Sequence, residues 1–152
     1  MTRMNIPDVK TKGSGMAKLD HIAIFVTDLE AGLAFYGDVL GLGVPIIKSV
    51  PELNIRCAFF PATDGTIIEL VSFSGSGELA HGDVVVALEV ADLDAALADY
   101  RAKGLRVFDQ PPTANLPLRR GWITKGSGHG TIIELCQPGE VAAYVRSTIG
   151  NV

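Results

Sequence analysis

The chain repeats itself, and no other feature of its 152 residues constrains the fold so tightly. His21-Ile-Ala-Ile-Phe-Val-Thr-Asp-Leu-Glu30 reappears as Val85-Val-Ala-Leu-Glu-Val-Ala-Asp-Leu-Asp94, an offset of 64 from residue 21 to residue 85. Gly65-Thr-Ile-Ile-Glu-Leu70 returns letter for letter as Gly130-Thr-Ile-Ile-Glu-Leu135, an offset of 65. Two matches at nearly one spacing mean that each half holds the same supersecondary unit, and units this small share a core.

The unit can be read from pattern. The β-branched and aromatic run at 19–26 predicts a strand. Thr27 with Glu30 reads as a capping box at a helix start. Leu29, Leu33, Phe35, Tyr36 and Leu40 recur at helical spacing over 28–40, and Gly41 and Gly43 end the helix. Strands are expected at 44–50, 55–60 and 66–72. The second half gives a strand at 84–90, a helix at 92–103 and strands at 105–109, 119–124 and 131–136. Each half is βαβββ. The expected class is α+β: two such modules forming a curved mixed sheet around a cavity, helices outside. Residues 1–15 read as a flexible tail or expression scar, 16–73 as the first module and 74–83 as a Ser/Gly-rich linker. The second module takes 84–137 and a C-terminal segment 138–152.

Composition removes whole classes of function. The formal charge is −4, from 13 basic and 17 acidic residues. A nucleic-acid binder would show a basic surplus. No apolar run approaches the ~20 residues of a membrane span. The first residues lack the apolar core of a secretory signal. Cys57 and Cys136 are too few for a disulfide framework and read as reduced thiols of a cytoplasmic protein.

Strand alternation places candidate residues on shared faces. In the first strand Ile22, Ile24 and Val26 face the helix, leaving His21, Ala23 and Phe25 on the other side. Glu69 shares a face with Ile67 and Val71, and Glu134 with Ile132 and Cys136. A carboxylate inside an apolar strand is costly to bury unless it is paired or bound to a cation. The same exception made twice argues for a purpose.

His21…Asp28-Leu-Glu30, Phe35-Tyr36…Val39-Leu-Gly-Leu42 and Ile67-Ile-Glu-Leu70 resemble the vicinal oxygen chelate superfamily of glyoxalases, bleomycin-resistance proteins and dioxygenases. Phe35-Tyr-Gly-Asp-Val-Leu-Gly-Leu42, Val50-Pro-Glu52, Ile55-Arg-Cys-Ala-Phe-Phe-Pro61 and Ala87-Leu-Glu-Val90 look most like methylmalonyl-CoA epimerase-like members. The resemblance covers about 17–137. It implies metal ligands at His21, Glu69 and Glu134, with Val85 where a fourth ligand, a histidine, belongs. It implies a divalent cation (Zn, Co, Ni, Mn or Mg), held weakly or not at all for want of that histidine. Catalytic roles would fall to Glu134 and Glu69. The cavity wall would include Phe25, Cys57, Phe59, Val85, Arg120 and Trp122, with His129 at the mouth. A homodimer is implied by analogy.

Two functions of different class follow. One is a metal-assisted isomerase or lyase, acting through an enolate on a small carbonyl compound or acyl-CoA thioester. The other is a metal-free small-molecule binding protein of the bleomycin-resistance type. Without a cation, Glu69 and Glu134 brought together would leave one of them protonated near neutral pH.

Overall fold

The computed structural model describes residues 17–74 and 79–152. The tail expected at 1–15 lies outside them, as does the middle of the expected linker. Eight strands form one curled sheet: β1 (Lys18–Phe25), β2 (Ile46–Val50), β3 (Ile55–Pro61), β4 (Ile67–Phe73), β5 (Val84–Glu89), β6 (Val107–Gln110), β7 (Arg120–Ile123) and β8 (Ile132–Cys136). Their order is β2-β3-β4-β1-β5-β8-β7-β6. The pairs β1–β4 and β5–β8 are parallel, and β1–β5, which joins the modules, is antiparallel. The sheet is mixed and two-fold symmetric in its connections, as the repeat predicts.

Each module covers its convex face with a helix. In the first, α1 (Leu29–Leu33) packs Leu29 with Ile24, Val26, Ala58, Phe60 and Leu70. In the second, α2 (Leu93–Ala102) packs Leu93 and Leu97 with Val90, Val107, Ile123 and Leu135. Leu97 is almost wholly buried, so truncation to alanine would cost about 2–5 kcal/mol.

Two local expectations need correction. The N-cap of α1 is Asp28, whose Oδ1 accepts from Ala31 N at 3.1 Å, not Thr27. Asp92 caps α2 in the same way through Ala95 N. The helix expected to reach residue 40 changes to a π-helical turn over Ala34–Val39. Gly37 permits this, since a Cβ there would lie 2.9 Å from the carbonyl oxygen of Gly43. The turn exposes Phe35, Val39 and Leu40. Its counterpart in α2 carries Asp99 and Lys103, an ion pair at 2.8 Å. The repeat thus keeps its buried face and differs on its outer one.

The segment after β8 is more than a tail. It forms α3 (Glu140–Arg146), which lays Val141, Tyr144 and Val145 into the concave side of the sheet. Leu116 and Leu118, from the loop between β6 and β7, join that core with Val50, Cys57 and Phe59. Lys48 of β2 holds the end of the chain. It is fully buried, and its Nζ donates to Ser147 O (3.0 Å), Ile149 O (2.7 Å) and Asn151 Oδ1 (2.8 Å). The Tyr144 hydroxyl donates to Asn115 O at 2.7 Å. One end of the concavity is therefore filled, and the other is open.

Candidate functional site

Register decides which side chains meet. His21 pairs across with Ala87, Ala87 with Glu134, and Glu134 with Trp122, so His21, Glu134 and Trp122 share one row of the concave face. Val85 pairs with Ala23, Ala23 with Glu69, and Glu69 with Phe59, which makes the second row. The two rows are the repeat seen in cross-section. Glu134 and Glu69 are equivalent, as are His21 and Val85.

The equivalent carboxylates have unlike neighbours. Glu134 Oε2 lies 3.5 Å from His21 Nε2. Arg120 Nη1 donates to Glu134 Oε1 at 3.3 Å, while Arg120 Nη2 donates to Gln110 Oε1 at 2.6 Å. Gln110 Oε1 also accepts from Trp122 Nε1 at 2.8 Å, and the guanidinium stacks 5.1 Å from the Trp122 ring centre. On the far side of His21, Nδ1 meets Asp20 Oδ2 at 2.6 Å. An irregularity of register between Leu19 and His21 lets both consecutive side chains turn inward. Asp20, His21, Glu134 and Arg120 thus form a chain of alternating charges.

Glu69 has no such company. Its row offers Val85 where Glu134's offers His21. The position equivalent to Arg120 on the facing strand is Cys57. Burial pushes the Glu69 carboxyl up to about 7; the charge of His21 opposes the rise and that of Glu134 adds to it. Burial also disfavours charge on Glu134, but its bond to His21 and the Arg120 charge outweigh this and hold it at about 2. For His21 burial acts downward, yet the bonds to Asp20 and Glu134 prevail and raise it to about 10. Two carboxylates with environments that drive them apart are the usual mark of divided acid–base roles.

Two spaces meet at these residues. An inner chamber of about 40 Å³ lies under α3, lined by Cys57, Phe59, Tyr144 and the charged groups. That is room for ordered water. An outer cleft of about 520 Å³ opens toward the second module, lined by Val85, Ile132, Phe73, Leu79, Trp122 and Phe108. Glu69, Arg120 and Glu134 belong to both walls.

The Glyoxalase/Bleomycin resistance protein/Dioxygenase superfamily profile matches residues 18–129. The chain belongs to this superfamily. The mitochondrial methylmalonyl-CoA epimerase of Mus musculus is 28% identical over 103 residues, 60% of this chain and 56% of that protein. A probable lactoylglutathione lyase of Synechocystis is 31% identical over 96 residues, 60% of this chain and 73% of that one. The match thus spans little more than half the length of the mouse epimerase. The Mycobacterium tuberculosis methylmalonyl-CoA epimerase superposes with a TM-score of 0.68 at 25% identity, covering 88% of this chain and 97% of that one. A Streptomyces coelicolor methylmalonyl-CoA epimerase in complex with 2-nitronate-propionyl-CoA gives 0.65 at 28%, covering 81% and 98%.

Members of the superfamily commonly bind divalent metals. In this member a dication would share Glu134 with the Arg120 guanidinium, and a fourth ligand position presents the Val85 methyls. Among the described residues, the set of three His, Cys, Asp or Glu donor atoms that all lie within 4.8 Å of one another comes from Asp20, His21 and Cys136, and Glu69 stands apart from that set. Burial pushes the Cys136 thiol well above its ordinary range, so it is a poor ligand. These residues do not fit a resident divalent cation.

Other expected residues fall into place or out of it. Cys57 and Phe59 line the chamber, Val85 and Trp122 the cleft, and Arg120 both. Phe25 and His129 need correction, since neither is on a wall. Phe25 packs against Phe73 with ring centres 5.0 Å apart. His129 sits exposed in a left-handed turn at φ 56°. His81 accepts from Thr27 N at 3.2 Å, and Arg119 pairs outward with Asp94 and Asp109. Sequence reasoning missed Asp20 and Gln110. Gln110 was hidden because its role depends on the β6–β7 register, which places it opposite Arg120.

Proposed function

We propose that the chain is an acid–base enzyme of the isomerase or lyase type, acting without a resident cation on the α-proton of a small carbonyl compound or acyl thioester. The observation that carries the reading is Glu69: a buried carboxyl poised near neutrality on the wall of an apolar cleft that Arg120 also lines. The Glu69 carboxylate takes the α-proton and becomes the carboxylic acid. The C–H electron pair moves into the enolate, whose oxygen carries the new negative charge. Arg120 supplies the countering positive charge that a metal ion supplies elsewhere. The Glu69 acid then returns its proton to carbon or to a leaving group. Glu134, fixed between His21 and Arg120, orients the guanidinium and does not carry the proton. The superfamily resemblance also supports a homodimer, for which the exposed Phe35, Val39 and Leu40 surface is the proposed contact.

The test is exchange of the α-proton in deuterated water, read by mass spectrometry on propionyl-CoA and methylmalonyl-CoA. Wild type is expected to exchange the α-proton of propionyl-CoA, with a rate that rises through pH 7 as Glu69 ionises. Glu69→Gln should lower it at least ~100-fold. Equal rates in both proteins would leave the metal-free binding protein as the better reading.

A further inference from the structure

We infer that the substrate is uncharged around its reacting carbon and largely apolar, a neutral ketone or the thioester of a monocarboxylic acid, and not a dicarboxylic acyl group. The inference rests on the reading of Glu69 as the base.

The polar groups of the site are already partnered. Asp20, His21, Glu134 and Arg120 lie in line at 2.6, 3.5 and 3.3 Å. Arg120 is the only cation among the described residues of the cleft wall, and its two terminal nitrogens are engaged by Glu134 and Gln110. Nearby cations stand off the cleft wall, Arg106 with its guanidinium 5.7 Å from the Phe108 ring centre and two others engaged. Lys125 meets Asp83 at 2.8 Å, and Lys48 is held by the C-terminal carbonyls. A substrate with its own free carboxylate would therefore set a third carboxyl group beside Glu69 and Glu134, with Arg120, already paired to Glu134, the one cation among the described residues of the cleft wall. Among the described residues, the Arg120 Nε–H is buried and without an acceptor. The free Nε–H suits one carbonyl oxygen, and the enolate charge that forms there replaces the charge Glu69 loses on taking the proton, whereas a substrate carboxylate would add a permanent one.

The walls favour the same class of molecule. Val85 occupies the place that repeats His21, and it faces the cleft with Ile132, Phe73 and Leu79. About 520 Å³ admits a compact organic molecule. Because α3 fills the first-module end, such a molecule enters from the side of Trp122 and Phe108.

Trp122 is the one tryptophan of the chain and lines the cleft, so its fluorescence reports occupancy. Two matched pairs of probes serve: 4-phenyl-2-butanone against 4-oxo-4-phenylbutanoate, and propionyl-CoA against methylmalonyl-CoA. Isothermal calorimetry repeats each comparison. In the first pair the neutral probe should bind at least tenfold tighter than the carboxylate. The second pair should show the same order if the natural ligand is a thioester and no binding of either if it is a free ketone. Glu69→Gln removes one negative charge and should narrow the preference. A carboxylate that binds as tightly as its neutral partner overturns the inference, as does failure of both neutral probes to bind. Deuterium exchange on the same samples separates this outcome from the fate of the base. A neutral probe that binds without Glu69-dependent exchange removes Glu69 as base and keeps the ligand class. Exchange in a cleft that prefers the carboxylate does the reverse.

Discussion

Replacing Glu69 with glutamine should make the protein more stable while it destroys activity, and only at higher pH. The folded chain holds the Glu69 proton up to about 7, against an ordinary value of 4.5. Between those values the folded state binds more protons than the unfolded one. Stability therefore falls as pH rises through that window, and the whole penalty is present above about 7. A rise from 4.5 to about 7 corresponds to roughly 3 kcal/mol. In a chain of this size that is on the order of 5–10 °C in Tm. Glutamine keeps the shape and cannot ionise, so it removes the penalty. Glu134 and His21 contribute with other windows. Glu134, held down at about 2, stabilises above its unfolded value and loses this as pH falls toward 2. His21, raised to about 10, stabilises fully below about 6.5 and loses this as pH rises through 10. Both remain in the variant, so the difference between the two proteins reports position 69 together with its coupling to them. Thermal melts at pH 4, 7 and 9 should show the two proteins level at pH 4 and separated by the full gain at pH 9. A difference that does not change with pH, or a variant less stable at pH 9, refutes the assignment of the raised carboxyl to Glu69.

Three other outcomes are expected. Arg120→Met should cost about 3 kcal/mol in urea unfolding, because it leaves Glu134 with one cation instead of two in a buried place. Combined with Val85→His it should create cobalt binding visible in the absorption spectrum, which wild type lacks; equal spectra would show that position 85 does not face Glu69. Lys48→Met should lower stability by about 1–3 kcal/mol, since a buried ammonium and its three hydrogen bonds to the chain end are lost, and proteolysis should then begin in the last six residues. Light scattering should give twice the 16.1 kDa chain mass. Phe35→Asp with Val39→Lys, which copies the ion pair of the second module, should return it to one chain mass.

Much of this architecture was legible because the repeat is written in strands. Period-two alternation put Glu69 and Glu134 on the concave face from their letters alone. The same alternation separates Arg119 from Arg120, but only the pairing of Trp122 with Glu134 says which of the two turns inward. Asp20 was illegible for the opposite reason. Strict alternation sends it outward, and the irregularity at Leu19–His21 brings it back. The cap at Asp28 was ambiguous because Thr27 beside it is an equally good capping residue. The π-helical turn left no periodic trace, since it depends on a close approach between Gly37 and Gly43 that lies in three dimensions. The sequence marks 138–152 only as a C-terminal segment, because the helix it forms gains its stability from the cavity it fills.

The two-fold relation of the rows has a stereochemical consequence. Carboxyls related by such an axis approach a molecule lying across it from opposite sides. Inverting a carbon centre takes a proton from one side and delivers it to the other. Here one side presents Glu69, free to exchange a proton, and the other presents Glu134, a permanent anion tied to a guanidinium. A duplicated module would have supplied ambidextrous chemistry; the changes at positions 85 and 57 leave it single-handed. If Glu69 is the base as proposed, a proton it removes should return to the face it left, so that a chiral centre trades hydrogen for deuterium and keeps its configuration.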